Sequence, residues 1–197
     1  CYSLIMPVTI NGNGTITGVS VGGLPDGIVD TDMLAADSVT APKIGSKTFT
    51  SYAIICDQKG ANDSGGTFSA NTTVTRDLNT EIIDADGIVS IAGNQFTLQA
   101  GTYFIRASAP AFFVQRHIAW LHNETDGAVV QYGTGEYAEA VNGCSTRSFI
   151  SAKTTISSAK NFRIKHRCGV TRNSNGLGVS SEYNQSIYTI VEIFKEA

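Results

Sequence analysis

Three histidines, four cysteines and a few closely spaced carboxylates are the residues with which this chain could do chemistry. His117 and His122 are five apart, so in a strand of period two they fall on opposite faces and cannot share a metal ion. His166 and Cys168 share a face at i, i+2, but two donors do not complete a metal site, and a basic surface strand is the simpler reading of KNFRIKHRC. Asp84-Ala-Asp86-Gly87 begins like a calcium loop. The twelfth position, where such a loop needs Glu, holds Gln95, so a turn is the simpler reading and a weak calcium site stays open. None of Cys1, Cys56, Cys144 and Cys168 forms a CxxC pair, which gives no support to a zinc or redox motif. Buried thiols and a Cys144–Cys168 disulfide both remain open. GxSxG and HExxH are absent, and Asp57, Glu81 and Glu139 have no spacing that pairs them, so a non-enzymatic protein without cofactor or metal is expected. Tyr132, Tyr137 and Tyr183 lie in or beside polar loops. They are candidate receptor contacts for a sugar or protein, or else caps on the ends of a sandwich.

Composition says what must position these groups. The chain has 197 residues, 16% of them charged, with 20 Gly and a net charge of −3. With no Lys/Arg cluster, a nucleic-acid surface is not expected, and no apolar stretch is long enough to span a membrane. Abundant Thr, Ser, Asn and Val read as all-β. The chain as given starts at Cys1, which initiator-Met removal or trimming explains more simply than a mature lipoprotein start.

Two unequal parts follow. Residues 1–47 are Gly-rich and too short to bury a core alone. Within them GLPDG is a turn signal, and Asp30 or Thr31 would cap one short helix over Asp32–Asp37 before Pro42. Their regularly placed Ile28, Met33, Leu34, Val39 and Ile44 are what a docking arm needs and a solvated linker does not. Residues 48–197 read as eight to ten short strands separated by turns, the spacing of an antiparallel β-sandwich. FTLQAGTYFIRASAP (96–110) is strand, corner, strand. Phe96 and Leu98 share a face, Gly101 makes the corner, Tyr103, Ile105, Ala107 and Ala109 share a face, and Pro110 ends the strand or marks an edge. In QSIYTIVEIF (185–194), Ile187, Thr189, Val191 and Ile193 fall on one face and Tyr188, Ile190, Glu192 and Phe194 on the other. Both faces are largely apolar. Either the strand is covered on both sides within one chain, or one face serves the core and the other a neighbour.

The Phe96–Pro110 stretch resembles the signature corner of the jelly roll shared by tumour necrosis factor and the globular heads of complement-type proteins. Phe96, Thr97, Gly101 and Tyr103 match that pattern and Ile105 replaces its usual aromatic. The resemblance implies a TNF-like jelly roll and a homotrimer with the closing strand near the three-fold axis, hence Tyr188, Ile190 and Phe194 as trimer-interface residues. TINGNGTITGVSVGGLPDGIVDTDMLAADSVTAPKI (9–44) resembles N-terminal segments of tailed-phage structural proteins. That resemblance implies a virion protein on the particle surface. Residues 1–47 would dock on other capsid or tail proteins, and the head would be displayed as a short fibre or a decoration (cement) protein, with a host-surface glycan or protein as a further partner. The alternative is a secreted ligand or lectin-like binding module of the same jelly-roll type, which expects oxidised cysteines and a dispensable arm.

Overall fold

The structure, a computed structural model, describes residues 49–197 and the backbone of two short strands, β1 (Thr9–Ile10) and β2 (Ile16–Thr17). The chain divides into two units, Cys1–Ser46 and Lys47–Ala197. In the first, β1 and β2 pair antiparallel, Thr9 opposite Thr17 and Ile10 opposite Ile16. The expected helix over Asp32–Asp37 and the apolar residues Ile28, Met33, Leu34, Val39 and Ile44 lie outside the described residues.

All regular structure described in the second unit is strand: β3 (Phe49–Gly60), β4 (Val74–Thr75), β5 (Thr80–Ile83), β6 (Val89–Ala92), β7 (Gln95–Leu98), β8 (Gly101–Phe112), β9 (Gln115–Asn123), β10 (Ala128–Tyr132), β11 (Glu136–Ala138), β12 (Ser145–Ile156), β13 (Lys160–Cys168) and β14 (Gln185–Glu196). One sheet runs β5-β3-β14-β8-β12. The other runs β6-β7-β13-β9-β10, with β11 also on β9 and β4 on β13. Every pairing is antiparallel, and from β7 onward the chain crosses from sheet to sheet: β7 to β8, β8 to β9, β11 to β12, β12 to β13, β13 to β14. That two-sheet layout is an antiparallel jelly-roll sandwich, as the Phe96–Pro110 stretch led one to expect.

The alternation along the strands fills the space between the sheets. Ala53 and Ile55 of β3, Tyr103, Ile105, Ala107 and Ala109 of β8, Ile150 and Ala152 of β12, and Val191 and Ile193 of β14 point inward. They meet Phe96, Leu98, Ala119, Leu121, Phe162 and Ile164 from the facing sheet. Phe96 and Phe162 stack at 5.6 Å between ring centroids. Burying a ring of that size is worth about 1.5–3 kcal/mol. At the corner, Gly101 has φ 153°, a conformation that L side chains rarely adopt, and a Cβ there would come within 3.2 Å of the Tyr103 ring and of Lys195.

Two local features depart from simple alternation. β8 continues past Pro110 to Phe112, with Pro110 buried and opposite Arg147 of β12. The proline is tolerated inside the strand because pairing of β8 with β14 stops at Ser108, so no ladder bond is required of its nitrogen on that side. The reason pairing stops is a register shift in β14 between Ile187 and Ile190. The shift turns both Tyr188 and Thr189 inward, with Tyr188 only 3% exposed. Tyr188 therefore does not share the outer face with Ile190 and Phe194, as strict alternation predicts. Its place on that face is taken by Ile187.

Candidate functional site

The outer face of the β14 sheet is built by cross-strand rungs. Phe194 lies opposite Tyr52 of β3 on one side and Phe104 of β8 on the other, and Phe104 lies opposite Lys153 of β12. The next rung is Ser151, Arg106, Glu192, Ile54 and Ile83, with Arg106 and Glu192 paired at 4.0 Å. The third is Phe149, Ser108, Ile190, Cys56 and Thr80. Residues directly opposite on one face are in side-chain contact range, so each rung is a continuous strip. Phe49 folds over the first rung, 5.3 Å from the Phe194 ring and 6.4 Å from that of Phe104, while Tyr52 stacks at 6.4 Å on Phe194. At the other end a depression of about 350 Å³ lies between Phe149, Ile190 and Arg106. Four aromatic rings at one end, a surface ion pair in the middle and a notch beside an exposed phenylalanine make this sheet face unusually apolar. Tyr52 is 48% exposed and Phe149 56%.

A second cluster is hidden between the sheets. His117 of β9 and His166 of β13 face each other, Nδ1 to Nε2 at 3.0 Å, and His117 Nε2 meets Thr146 Oγ1 at 2.7 Å. Phe68 covers the His166 ring at 4.7 Å, and His166 Nδ1 is buried without a partner. The unpartnered atom favours the arrangement in which His166 donates from Nε2 and leaves Nδ1 a bare acceptor, since a buried N–H without an acceptor is the costlier orphan. Burial, helped by the nearby Arg76 charge, holds both rings neutral. It presses His117 down to about 4 against the smaller opposing pull of Glu136, and His166 well below its ordinary value. Arg76 itself is fully buried. It donates from Nε to Thr189 Oγ1 at 2.8 Å, from Nη1 to Pro110 O at 3.3 Å and from Nη2 to Leu177 O at 2.7 Å. Burial lowers its pKa to about 10, with the carboxylates of Asp57 and Asp77 opposing, so it stays charged at neutral pH.

The His166 strand is therefore a correction to the sequence reading. KNFRIKHRC is not simply a basic surface strand: Phe162, Ile164, His166 and Cys168 point inward, and only the alternate residues carry charge outward. Among the described residues, Cys56, Cys144 and Cys168 form no disulfide with one another. Burial pushes Cys168 up to about 11, so it stays protonated and is a poor nucleophile. Asp84 closes its turn by accepting from the backbone N–H of Ile88 at 2.8 Å and of Val89 at 2.9 Å, which occupies the carboxylate that a calcium loop would use. Ile190 and Phe194 lie half-buried on the outer face just described. Tyr132, Tyr137 and Tyr183 are all more than half exposed. The fold separates them: Tyr132 and Tyr137 lie on β10 and β11 of one sheet, while Tyr183 is in the loop entering β14 of the other. Sequence reasoning missed Tyr52, Phe49, Phe104 and Phe149 as members of the outer face. Their alternation along β3, β8 and β12 was readable, but which strands are neighbours was not.

No family model matches this chain, and no curated protein does. Among solved structures it is similar to murine APRIL at pH 8.5, with TM-score 0.47 and 7% identity over 74% of this chain and 98% of that one. It is also similar to the globular domain of zebrafish complement 1qA, with TM-score 0.46 and 15% identity over 73% of this chain and 95% of that one. The likeness is one of strand layout.

Proposed function

We propose that this chain is a non-enzymatic structural protein of a tailed-phage virion, a homotrimer anchored by residues 1–47 and displaying its jelly roll as a short fibre or a capsid decoration protein. The observation that carries the self-association is the outer face of the β14 sheet, where Phe49, Tyr52, Phe104, Phe149 and Phe194 leave apolar surface open to water. A stable interface buries about 800 Å² per partner with aromatic anchors at its centre, and this face supplies the anchors. Ile190 and Phe194 would lie in the contact. Tyr188 would act behind it, holding the strand by its hydroxyl bond to Asp63 O at 2.6 Å. The virion setting rests on the resemblance of residues 9–44 to phage docking segments, with Ile28, Met33, Leu34, Val39 and Ile44 as the residues that would seat on the particle. Among the described residues no disulfide joins Cys56, Cys144 and Cys168, an arrangement that fits this reading better than a secreted module, which expects oxidised cysteines.

Light scattering on the purified chain tests the association. The expected mass is three times that of one chain, and Tyr52→Glu with Phe149→Glu should bring it to that of a monomer with an unchanged β spectrum. A folded wild-type monomer at micromolar concentration refutes the trimer. Gold-labelled antibody against residues 49–197 on intact virions tests the setting: label on the head means decoration or head fibre, label on the tail means tail fibre, and unlabelled particles refute it.

A further inference from the structure

The sheet opposite the assembly face carries a cleft that the proposed trimer does not use. Arg116 and Ile118 follow each other at i, i+2 on β9, Arg167 of β13 lies opposite Ile118, and Tyr137 of β11 lies opposite Arg116. The four side chains therefore share one face. With Asn71 beside them they line an open groove of about 790 Å³, a volume sufficient for a small ligand.

The charges in this cleft are not spent on the fold. Elsewhere on the same face Lys165 pairs with Glu124 at 2.9 Å, and Arg163 reaches Gln95 at 3.4 Å. Among the described residues, neither Arg116 nor Arg167 has a carboxylate in ion-pair range, and neither guanidinium donates a hydrogen bond. Both are exposed, as is Tyr137 at 53%. A chain of net charge −3 thus holds two unengaged guanidinium forks beside an open aromatic ring.

We propose that this cleft binds the acidic sugar unit of a saccharide. Guanidinium forks match a carboxylate in two parallel hydrogen bonds. The Tyr137 ring offers a flat apolar surface for the C–H face of a pyranose. The Asn71 amide both donates to and accepts from neighbouring hydroxyls. A nucleic acid fits less well, because among the residues lining the cleft Arg116 and Arg167 are the only Lys or Arg, too few to track a phosphate backbone. The proposal deepens the reading of this unit as a displayed binding head and rests on it. The titration uses the purified chain, so its failure leaves the mass and virion-labelling measurements standing.

Calorimetric titration of the full chain with three probes, tri-galacturonate, 3′-sialyllactose and a hyaluronan tetrasaccharide, is the experiment. Maltotriose serves as the neutral control and a short oligothymidylate as the non-sugar anion. At least one acidic probe should bind at least tenfold more tightly than maltotriose. Arg116→Gln with Arg167→Gln should weaken it at least tenfold. Gly169→Leu should fill the cleft: a Cβ there meets only backbone atoms of Arg116 and Val114 at 3.6 Å and beyond. Should that variant misfold, Gly135→Phe does the same work, since a Cβ at Gly135 points into open space. No binding of any acidic probe, equal binding of maltotriose, full competition by oligothymidylate, or binding unchanged in the double arginine variant each overturns the assignment.

Discussion

Acidifying this protein should loosen it through the His117–His166 pair, and the size of the effect follows from the geometry. An unfolded histidine titrates near about 6.5, whereas in the fold His117 is held at about 4. The folded state therefore resists a proton that the unfolded chain accepts. The stability contributed by the neutral ring is fully present above the unfolded value, declines as pH falls below it, and is lost once pH passes the folded value. At about 1.4 kcal/mol per pH unit, crossing the whole interval costs about 3 kcal/mol, and going from pH 8 to pH 5 costs about 2 kcal/mol for His117 alone. His166 is displaced in the same direction and adds to the loss. Because the two rings share one hydrogen bond, they titrate as a pair. The groups around them are Arg76, whose charge disfavours a proton on either ring, and Glu136, which favours one on His117. Asp57 works against the trend: burial raises its pKa, so its protonation on acidification favours the folded state. The assay is thermal unfolding at fixed protein concentration across pH 5–8, comparing wild type with His117→Gln/His166→Leu. Asp57 and the surface carboxylates are common to both and cancel. Wild type should lose about 4–8 °C more than the double variant between pH 8 and pH 5. Equal losses in the two proteins would refute the reasoning.

Other substitutions probe the parts that hold the fold together. Arg76→Met removes three buried hydrogen bonds and leaves Pro110 O and Leu177 O without their donor, so urea denaturation should show a loss of about 3 kcal/mol. Tyr188→Phe deletes only the bond to Asp63 O and should cost about 1 kcal/mol by the same measurement. Gly178→Ala should be far worse than its size suggests. The residue has φ 137° and a Cβ would fall 2.2 Å from the Tyr188 ring, so a loss of about 2–4 kcal/mol or failure to fold is expected in expression and thermal melts. Tyr188→Ala with Gly178→Ala should then show strong non-additivity in a double-mutant cycle, because one ring makes both effects.

What the sequence made legible was whatever depends on neighbours along the chain. Period-two alternation placed Tyr103, Ile105, Ala107 and Ala109 on the core side of β8, and the corner at Gly101 was marked by its residue type. It did not reveal events set by the far side of the sheet. The shift between Ile187 and Ile190 depends on how β14 meets β3, and it alone turned Tyr188 inward. His166 looked like part of a charged strand because Lys165 and Arg167 flank it. Its burial follows from the pairing of β13 with β9, which sets His166 beside His117. FFVQRHIAWLHN reads as one strand from 112, yet Phe113 and Gln115 have positive φ and β9 begins only at Gln115. The short strand β11 carries three residues and no alternation long enough to detect, although it brings Tyr137 to Arg116.

The place of β14 has a consequence for the order in which this domain is made. It is the last strand of the fold, yet it lies in the middle of its sheet, between β3 and β8. During synthesis those two strands emerge long before the segment that joins them, and each waits with a row of unpaired backbone donors and acceptors toward the gap. Closure of this sheet therefore waits for its final strand, and contacts spanning more than a hundred residues, such as Phe194 with Tyr52, form only once β14 has emerged. A nascent chain stalled before residue 185 would present two naked edges to every other copy on the same polysome. A holding chaperone that covers those edges until β14 emerges is the kind of help such a layout calls for.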